Sequence, residues 1–144
     1  MLRQTDTYFR VETGRLKIRE FSRGRAELIY YRRNERKGAR WSEYEIVTFG
    51  DAKNLKRILA RLLGVWVVVR KSRLLFYYKG IARVHIDHVQ GLGDFIEIEV
   101  IAKRNRRKVK LVHDELIGLL GIRPDEKIAC SYSDLIDSNA DRLG

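Results

Sequence analysis

Short runs in which polar and apolar residues alternate, separated by turns that contain glycine or serine, dominate the first third of the chain. Successive residues of a β-strand point to opposite faces of a sheet, so a two-residue period predicts strands. In the second of these runs, single apolar residues separate Arg15, Lys17 and Arg19, which would therefore share one face. The pattern predicts four strands, over residues 4–11, 15–21, 25–33 and 41–49.

A helical period follows the fourth predicted strand. A helix is predicted over residues 51–63, with Asp51 as its N-cap and Gly64 as its stop. Its apolar residues form one stripe at helical spacing: Leu55, Ile58, Leu59 and Leu62. The same reasoning predicts a second helix over residues 106–120 and a short docking helix in the segment SYSDLI near the end of the chain.

Three consecutive strands are predicted between the two long helices, within residues 65–102. The first of them, over residues 65–79, would be much longer than the usual ~5–6 residues, which suits a barrel or a strongly curved sheet. Turns of hairpin length make neighbouring strands antiparallel. The order of four strands, helix, three strands and helix therefore predicts an α+β fold in a single domain over residues 1–144.

The composition narrows the class of protein. The only cysteine, Cys130, cannot form an internal disulfide, and the histidines lack zinc-ligand spacing. No apolar run approaches the ~20 residues of a membrane helix, and the first residues lack a signal-peptide core. A cytoplasmic protein with no membrane partner is therefore expected. The formal net charge of +11 favours a polyanionic partner such as a nucleotide, polyphosphate or nucleic acid.

The charges of the last three strands are sorted by sign. Lys71 and Arg73 share one face of the first, whereas Glu97 and Glu99 share one face of the third. A solvated sheet face explains alternating charge, but it does not require cations on one strand and paired carboxylates on another. A site that holds an anion through a metal ion does require this arrangement.

If these faces converge, they enclose a polar tunnel with a basic and an acidic wall. The candidate cations are Arg15, Lys17, Arg19, Lys71, Arg73 and Arg83, and the candidate carboxylates are Asp87, Glu97 and Glu99. Lysine and arginine bind phosphate oxygens, and paired carboxylates hold Mg²⁺ or Mn²⁺, which bridge to phosphates. Such a site would act by positioning and charge neutralisation at phosphorus.

Five segments, in order, resemble the CYTH superfamily of triphosphate tunnel enzymes: QTDTYF, GRLKIRE, ELIYYRR, VRKSR and HIDHVQGLGDFIEIE. That superfamily includes class IV adenylate cyclases, thiamine triphosphatases and inorganic triphosphatases. The resemblance implies an antiparallel barrel or tunnel with flanking helices. It implies phosphate binding by Lys17, Arg19, Lys71 and Arg73, with Lys71, Arg73 and Asp87 in the catalytic centre. It also implies metal binding around Asp87, Glu97 and Glu99, the two glutamates being the direct ligands.

The sequence departs from the superfamily pattern in two places. Members open with a strand that carries Glu-x-Glu-x-Lys, whereas this chain starts at what resembles the next strand. We therefore expect a barrel that lacks its first strand, either shortened or genuinely lost, and a homodimer through the open edge. The lysine of the third strand in several relatives is also unmatched, and Tyr31 or Arg32 stands near its place, so Arg32 is a candidate phosphate ligand.

The sequence leaves three functions open. The first is a metal-dependent enzyme that hydrolyses an inorganic, thiamine or nucleoside triphosphate or cyclises ATP to cyclic AMP. The second is a non-catalytic protein that binds triphosphate or polyphosphate. The third, less favoured, is a nucleic-acid-binding module that depends on the +11 charge.

Overall fold

The computed structural model describes residues 1–22, 24–33, 42–101 and 106–141. They form one seven-stranded sheet and three α-helices, the α+β architecture that the sequence predicts. The strands are β1 (Leu2–Phe9), β2 (Arg15–Phe21), β3 (Ala26–Arg33), β4 (Ser42–Phe49), β5 (Val65–Tyr78), β6 (Ala82–Val89) and β7 (Gly93–Val100). The helices are α1 (Ala52–Leu63), α2 (Arg106–Leu119) and α3 (Tyr132–Asp141), with a 3-10 turn at Pro124–Glu126.

All neighbouring strands are antiparallel, in the spatial order β4-β3-β2-β1-β5-β6-β7. The central strand β1 therefore joins two meanders, β1 to β4 on one side and β5 to β7 on the other. Within the described chain, β4 and β7 are the edges of the sheet and do not pair with each other. Whether a second copy pairs with either edge stays a prediction.

The length of β5 follows from its two partners. Its first part pairs with β1, from Val65 to Arg73, and its second part pairs with β6, from Lys71 to Tyr78. The two pairings overlap only around Lys71–Arg73. The same pairing explains why β1 begins at Leu2, earlier than predicted, because Leu2 lies opposite Arg73.

The other predicted boundaries agree closely with the structure. The carboxylate of Asp51 accepts a hydrogen bond of 3.1 Å from the backbone N–H of Asn54, as an N-cap does. At the other end of the helix, Gly64 donates its backbone N–H to the Ala60 carbonyl oxygen. The Trp41 start predicted for the fourth strand lies outside the described residues. None of the described helices is long and apolar enough to cross a membrane.

The helices lie on both faces of the sheet. Helix α2 packs its Val112 and Leu116 on Ala82 and Val84 of β6, and α1 contacts β1 and β2 on the same side. Helix α3 packs on the opposite face, against a cluster formed by Tyr8, Val67, Val69 and Val89. We call the α1–α2 side the outer face.

Gly14, in the turn between β1 and β2, packs closely against β3 and provides a test of that contact. Its φ is +72°, and a Cβ there would lie 2.8 Å from the Tyr31 carbonyl oxygen and 2.9 Å from the Tyr30 ring. We expect Gly14→Ala to lower the free energy of unfolding by about 1–3 kcal/mol, measured by urea denaturation. Gly118→Ala in α2, where a Cβ meets no atom within 4 Å, is the control and should be stabilising by up to about 1 kcal/mol. Equal effects of the two substitutions would contradict the turn geometry.

Candidate functional site

Cross-strand partners share a face, so the strand register shows which charged residues lie together. Asp6 pairs with Arg19, Arg73 with Asp87, and Arg83 with Glu99. Together with the alternation along each strand, these pairs define one side of the sheet, which we call the charged face. It carries Asp6, Arg15, Lys17, Arg19, Glu27, Lys71, Arg73, Arg83, His85, Asp87, Glu97 and Glu99.

The part of the charged face around Asp6 and Asp87 is largely hidden from solvent. Lys17, Lys71 and Arg73 are each only 7–8% exposed, and Asp6 and Asp87 are 1% and 0% exposed. Covering a charge this fully is unfavourable unless it is paired. The contacts on this face are therefore ion pairs, most of them organised around the fully buried carboxylates of Asp6 and Asp87. Glu27, which is also buried, pairs with Arg25.

Asp6 binds the cations of β2. Its Oδ2 accepts a hydrogen bond of 2.7 Å from Lys17 Nζ, and Arg19 donates to both oxygens at 2.7 and 2.8 Å. Burial alone would raise the pKa of the Asp6 carboxyl, but Lys17 and Arg19 outweigh it and hold that pKa well below its ordinary value. Burial also lowers the pKa of the Lys17 ammonium, so a further anion nearby would stabilise its protonated form.

Asp6 was not among the predicted site residues. It lies between Thr5 and Thr7 in a run that has the pattern of an ordinary strand. Alternation along this strand places Gln4, Asp6 and Tyr8 on one face, and this polar face of β1 could have been predicted to lie beside the basic face of β2.

Asp87 binds Arg73 in the same manner. Arg73 donates from Nε and Nη2 to the two Asp87 oxygens, both at 2.6 Å, and from Nη2 to Glu97 Oε2 at 2.6 Å. Tyr132 of α3 donates its hydroxyl to Asp87 Oδ2 at 3.0 Å. Burial would lower the pKa of the Arg73 guanidinium, but the hydrogen bonds to Asp87 raise it instead. Arg73 is thus fixed in one orientation.

Lys71 is less firmly held. It makes no hydrogen bond to any described residue, and its Nζ lies 3.9 Å from Asp87 Oδ2 and 5.2 Å from the centre of the Tyr132 ring. Burial lowers the pKa of the Lys71 ammonium to about 8. An anion placed beside Lys71 could therefore bind its ammonium group without displacing a hydrogen bond from a described residue.

Two other predicted cations are bound elsewhere on the charged face. Arg15 donates to the Ser133 hydroxyl at 3.1 Å and to Asp134 at 2.5 Å, which ties β2 to α3. Arg83 lies 3.4 Å from Glu99 Oε2 near the exposed end of β6. Neither of these arginines binds Asp6 or Asp87. Lys17, Arg19, Lys71 and Arg73 lie closer to those two carboxylates along the strands.

Arg32 is not brought together with the other predicted cations. The structure places it on the outer face, because its neighbour Tyr31 lies opposite Arg15 and so occupies the charged-face position of β3. Its guanidinium donates to the Tyr30 hydroxyl at 3.0 Å. The proposed phosphate site therefore omits Arg32.

The predicted metal triad of Asp87, Glu97 and Glu99 stays a prediction. Among the described residues, no three acidic, histidine or cysteine side chains are grouped to hold a metal ion. Both Asp87 oxygens accept hydrogen bonds from Arg73, so a metal ion at Asp87 would compete with that arginine. Glu97 and Glu99 are about half exposed, and each contacts the described protein through Oε2 alone.

Two such carboxylates fit a Mg²⁺ site. Mg²⁺ is commonly held by one or two carboxylates, with substrate phosphates and water as its other ligands. Burial would raise the pKa of Glu97, but His85, Arg73 and Lys71 lower it to about 2, so Glu97 is an ionised oxygen donor at neutral pH.

Comparisons with known proteins identify the family and the fold of the chain. The CYTH domain family matches residues 1–132. The fold resembles that of the PH1012 protein from Pyrococcus horikoshii OT3, with a TM-score of 0.84 and 22% identity, covering 93% of this chain and 82% of that one. A conserved hypothetical protein from Pyrococcus furiosus gives 0.83 and 23%, with the same coverage. The PH1819 protein from P. horikoshii OT3 gives 0.67 and 22%, covering 96% and 86%. No curated protein matched the sequence significantly.

Asp6→Asn tests the importance of the buried carboxylate. Removing this charge leaves Lys17 and Arg19 without their shared partner, so the free energy of unfolding should fall by about 3 kcal/mol or more. Because the pKa of Asp6 is lowered in the folded state, its stabilisation is complete above its unfolded pKa and is lost as pH falls below about 4. The variant should therefore lose less stability than the wild type when urea denaturation is repeated at decreasing pH.

Asp125→Asn, in the exposed 3-10 turn, is the matched control and should leave the acid dependence unchanged. The same acid dependence in the wild type and in Asp6→Asn would contradict the assigned role of Asp6.

Proposed function

This chain belongs to the CYTH domain family, and we propose on that basis that its charged face binds a triphosphate as a metal-dependent triphosphatase or nucleotide cyclase. The CYTH domain is a triphosphate-binding tunnel fold, and its members are often metal-dependent triphosphatases or cyclases. The observation that carries the proposal for this chain is a buried surplus of positive charge. Four cations, Lys17, Arg19, Lys71 and Arg73, adjoin three carboxylates that bind them, Asp6, Asp87 and Glu97. The remaining buried carboxylate of this face, Glu27, is bound to Arg25.

A triphosphate matches this surplus chemically. It offers several negatively charged oxygens along a short chain, and arginine and lysine bind such oxygens with charge-assisted hydrogen bonds. Arg19 and Arg73 are oriented in advance by Asp6 and Asp87, so they lose little freedom when a phosphate binds. Lys71, which makes no hydrogen bond within the described protein, supplies a further positive charge.

The same residues would assist reaction at phosphorus. Phosphoryl transfer depends mainly on positioning and on neutralising the charge that spreads over the phosphoryl oxygens. Preoriented cations in a site with little water stabilise that charge more strongly than solvent does. Arg73 and Lys71 are placed to do this because both are buried and both adjoin Asp87.

Glu97 and Glu99 are the residues that would hold a divalent cation, which neutralises and orients phosphate oxygens when bound. Both lie on β7, on the acidic side of the charged face. Mg²⁺ and Mn²⁺ suit these oxygen ligands.

One observation favours a second candidate, a non-catalytic triphosphate-binding protein. With Asp87 engaged by Arg73, two carboxylates are available to a metal ion where three were predicted. Such a protein would bind triphosphate through the same four cations without turning it over.

A turnover assay tests the enzymatic proposal. The protein is incubated with tripolyphosphate, thiamine triphosphate or ATP, with Mg²⁺, Mn²⁺ or EDTA, and orthophosphate and cyclic AMP are measured in the same samples. We expect metal-dependent product from at least one substrate. Glu97→Gln should lower kcat/KM by roughly 10–100-fold and raise the metal concentration needed, because it replaces a charged carboxylate by a neutral amide, which is a weaker metal ligand.

Asp94→Asn is the control on the same strand, since Asp94 faces the opposite side and pairs with His88 at 2.6 Å. It should leave kcat/KM unchanged. Binding without turnover of any substrate would favour the second candidate, and absence of both binding and turnover would overturn the proposal.

The pH dependence of binding tests the role of Lys71. The pKa of Lys71 is about 8 in the free protein, and a bound anion favours its protonated form. Affinity for tripolyphosphate in EDTA should therefore fall by about tenfold between pH 7 and pH 9 beyond any change due to the ligand's own titration. Lys71→Arg, whose guanidinium stays charged in this range, should show only the ligand's contribution. Identical pH profiles for the two proteins, measured by calorimetry, would exclude Lys71 from the phosphate site.

A further inference from the structure

Gln4, on the central strand β1, is a buried polar residue that takes no part in the ion pairs of the charged face. It alternates with Asp6 and Tyr8 and lies directly opposite Lys71 of β5, so its side chain is on the charged face. Only 6% of the residue is exposed. The proposed triphosphate site therefore contains an uncharged amide as well as cations and carboxylates.

The amide of Gln4 is not satisfied within the described protein. Its buried Oε1 has no hydrogen-bond partner, and its side chain forms no hydrogen bond to any residue that the structure describes. Buried amides in folded proteins are usually hydrogen-bonded, because an unpaired one loses its interactions with water without replacement. An amide at this position therefore indicates a partner that comes from outside the chain.

The neighbours of Gln4 indicate what kind of partner this is. On β5, Lys71 lies opposite Gln4, and Arg73 follows two residues later on the same face. On β2, Arg19 lies one charged-face position away from the residue opposite Gln4. Opposite side chains are ~5 Å apart at Cβ, and diagonal neighbours are still within reach of long side chains. Gln4 thus lies on the line between Arg19 on β2 and Arg73 on β5.

Both arginines have a nitrogen available for a ligand. Arg19 uses Nε and Nη2 to bind Asp6, and Arg73 uses the same two atoms to bind its carboxylates. Neither Nη1 donates to a described residue. An anion that contacts both arginines therefore crosses β1 over Gln4. A half-turn of the amide exchanges its donor and acceptor, so its N–H can meet an anion while Oε1 accepts from a water or an ammonium group.

We propose that Gln4 is a binding residue for the triphosphate, its side-chain N–H donating to a phosphate oxygen held between Arg19 and Arg73. Its contribution differs from that of the cations, because a neutral amide adds a directed hydrogen bond without adding charge. The site thereby recognises the position of one phosphate oxygen as well as the total charge of the ligand. This inference rests on the proposed function, since it takes triphosphate as the ligand of the charged face.

Gln4→Leu tests the inference, because leucine has a similar volume but no amide. Affinity for tripolyphosphate, measured by calorimetry in EDTA at fixed salt, should fall by about tenfold, since a hydrogen bond to a charged ligand is lost. The midpoint of urea denaturation should stay the same or rise, because the substitution removes a buried polar group without a partner. The matched control is Gln90→Leu at the other glutamine of the chain, which is exposed in the turn after β6 and should keep the affinity.

The pH profile separates a direct contact from an effect on the neighbouring cations. If Gln4 contacts the ligand itself, Gln4→Leu should keep the roughly tenfold loss of affinity between pH 7 and pH 9 that the pKa of Lys71, about 8, predicts for the wild type. Loss of this pH dependence together with the affinity would assign the effect to Lys71 and overturn the role of Gln4.

Side-chain amide signals in the nuclear magnetic resonance spectrum of ¹⁵N-labelled protein give a readout that needs no altered chain. The two leucine variants assign the signals of Gln4 and Gln90 by their disappearance. Titration of the wild type with tripolyphosphate should shift the Gln4 signal and leave that of Gln90 in place. A stationary Gln4 signal, or undiminished affinity in Gln4→Leu, would overturn the inference while tripolyphosphate still binds. Absence of tripolyphosphate binding in the wild type would instead overturn the proposed function itself.

Discussion

The burial of charge on one side of the sheet is the constraint on which the rest of the structure depends. Asp6 and Asp87 are almost inaccessible to water, and each is stabilised only because cations from a neighbouring strand donate directly to it. These pairs require β1 to lie beside β2 and β5 beside β6 in one register. A slip by one residue would exchange the charged face with the outer face, so the fold and the site are specified together.

Strand β5 connects the two halves of this arrangement. Its first part completes the sheet around β1 and its second part carries β6 and β7, and Lys71 and Arg73 lie where the two parts overlap. The cations of β2 and the carboxylates of β6 and β7 are thereby brought to one surface from distant parts of the sequence. Helix α3 fixes one side of that surface, since Tyr132 donates to Asp87 and Asp134 accepts from Arg15.

Alternation along the sequence was sufficient to predict the strands and the cations of the site, because a two-residue period depends only on local order. It placed Lys17, Arg19, Lys71 and Arg73 on faces that the structure does bring together. What it could not supply was the identity of each partner across strands. The pairing of Asp87 with Arg73 joins residues of two different strands, and Arg32 differs from a charged-face residue by a single position. Asp6 was missed because its role depends entirely on Lys17 and Arg19 of the next strand.

The central claim is that the unbalanced cations of the charged face bind a triphosphate. A crystal structure of the protein with tripolyphosphate, grown without competing anions, tests it most directly. The account predicts phosphate oxygens within hydrogen-bonding distance of Lys71 Nζ and of the Nη1 atoms of Arg19 and Arg73. The hydrogen bonds of Asp6 and Asp87 to these arginines are retained. Tripolyphosphate bound only on the outer face, with the charged face unchanged, would contradict it.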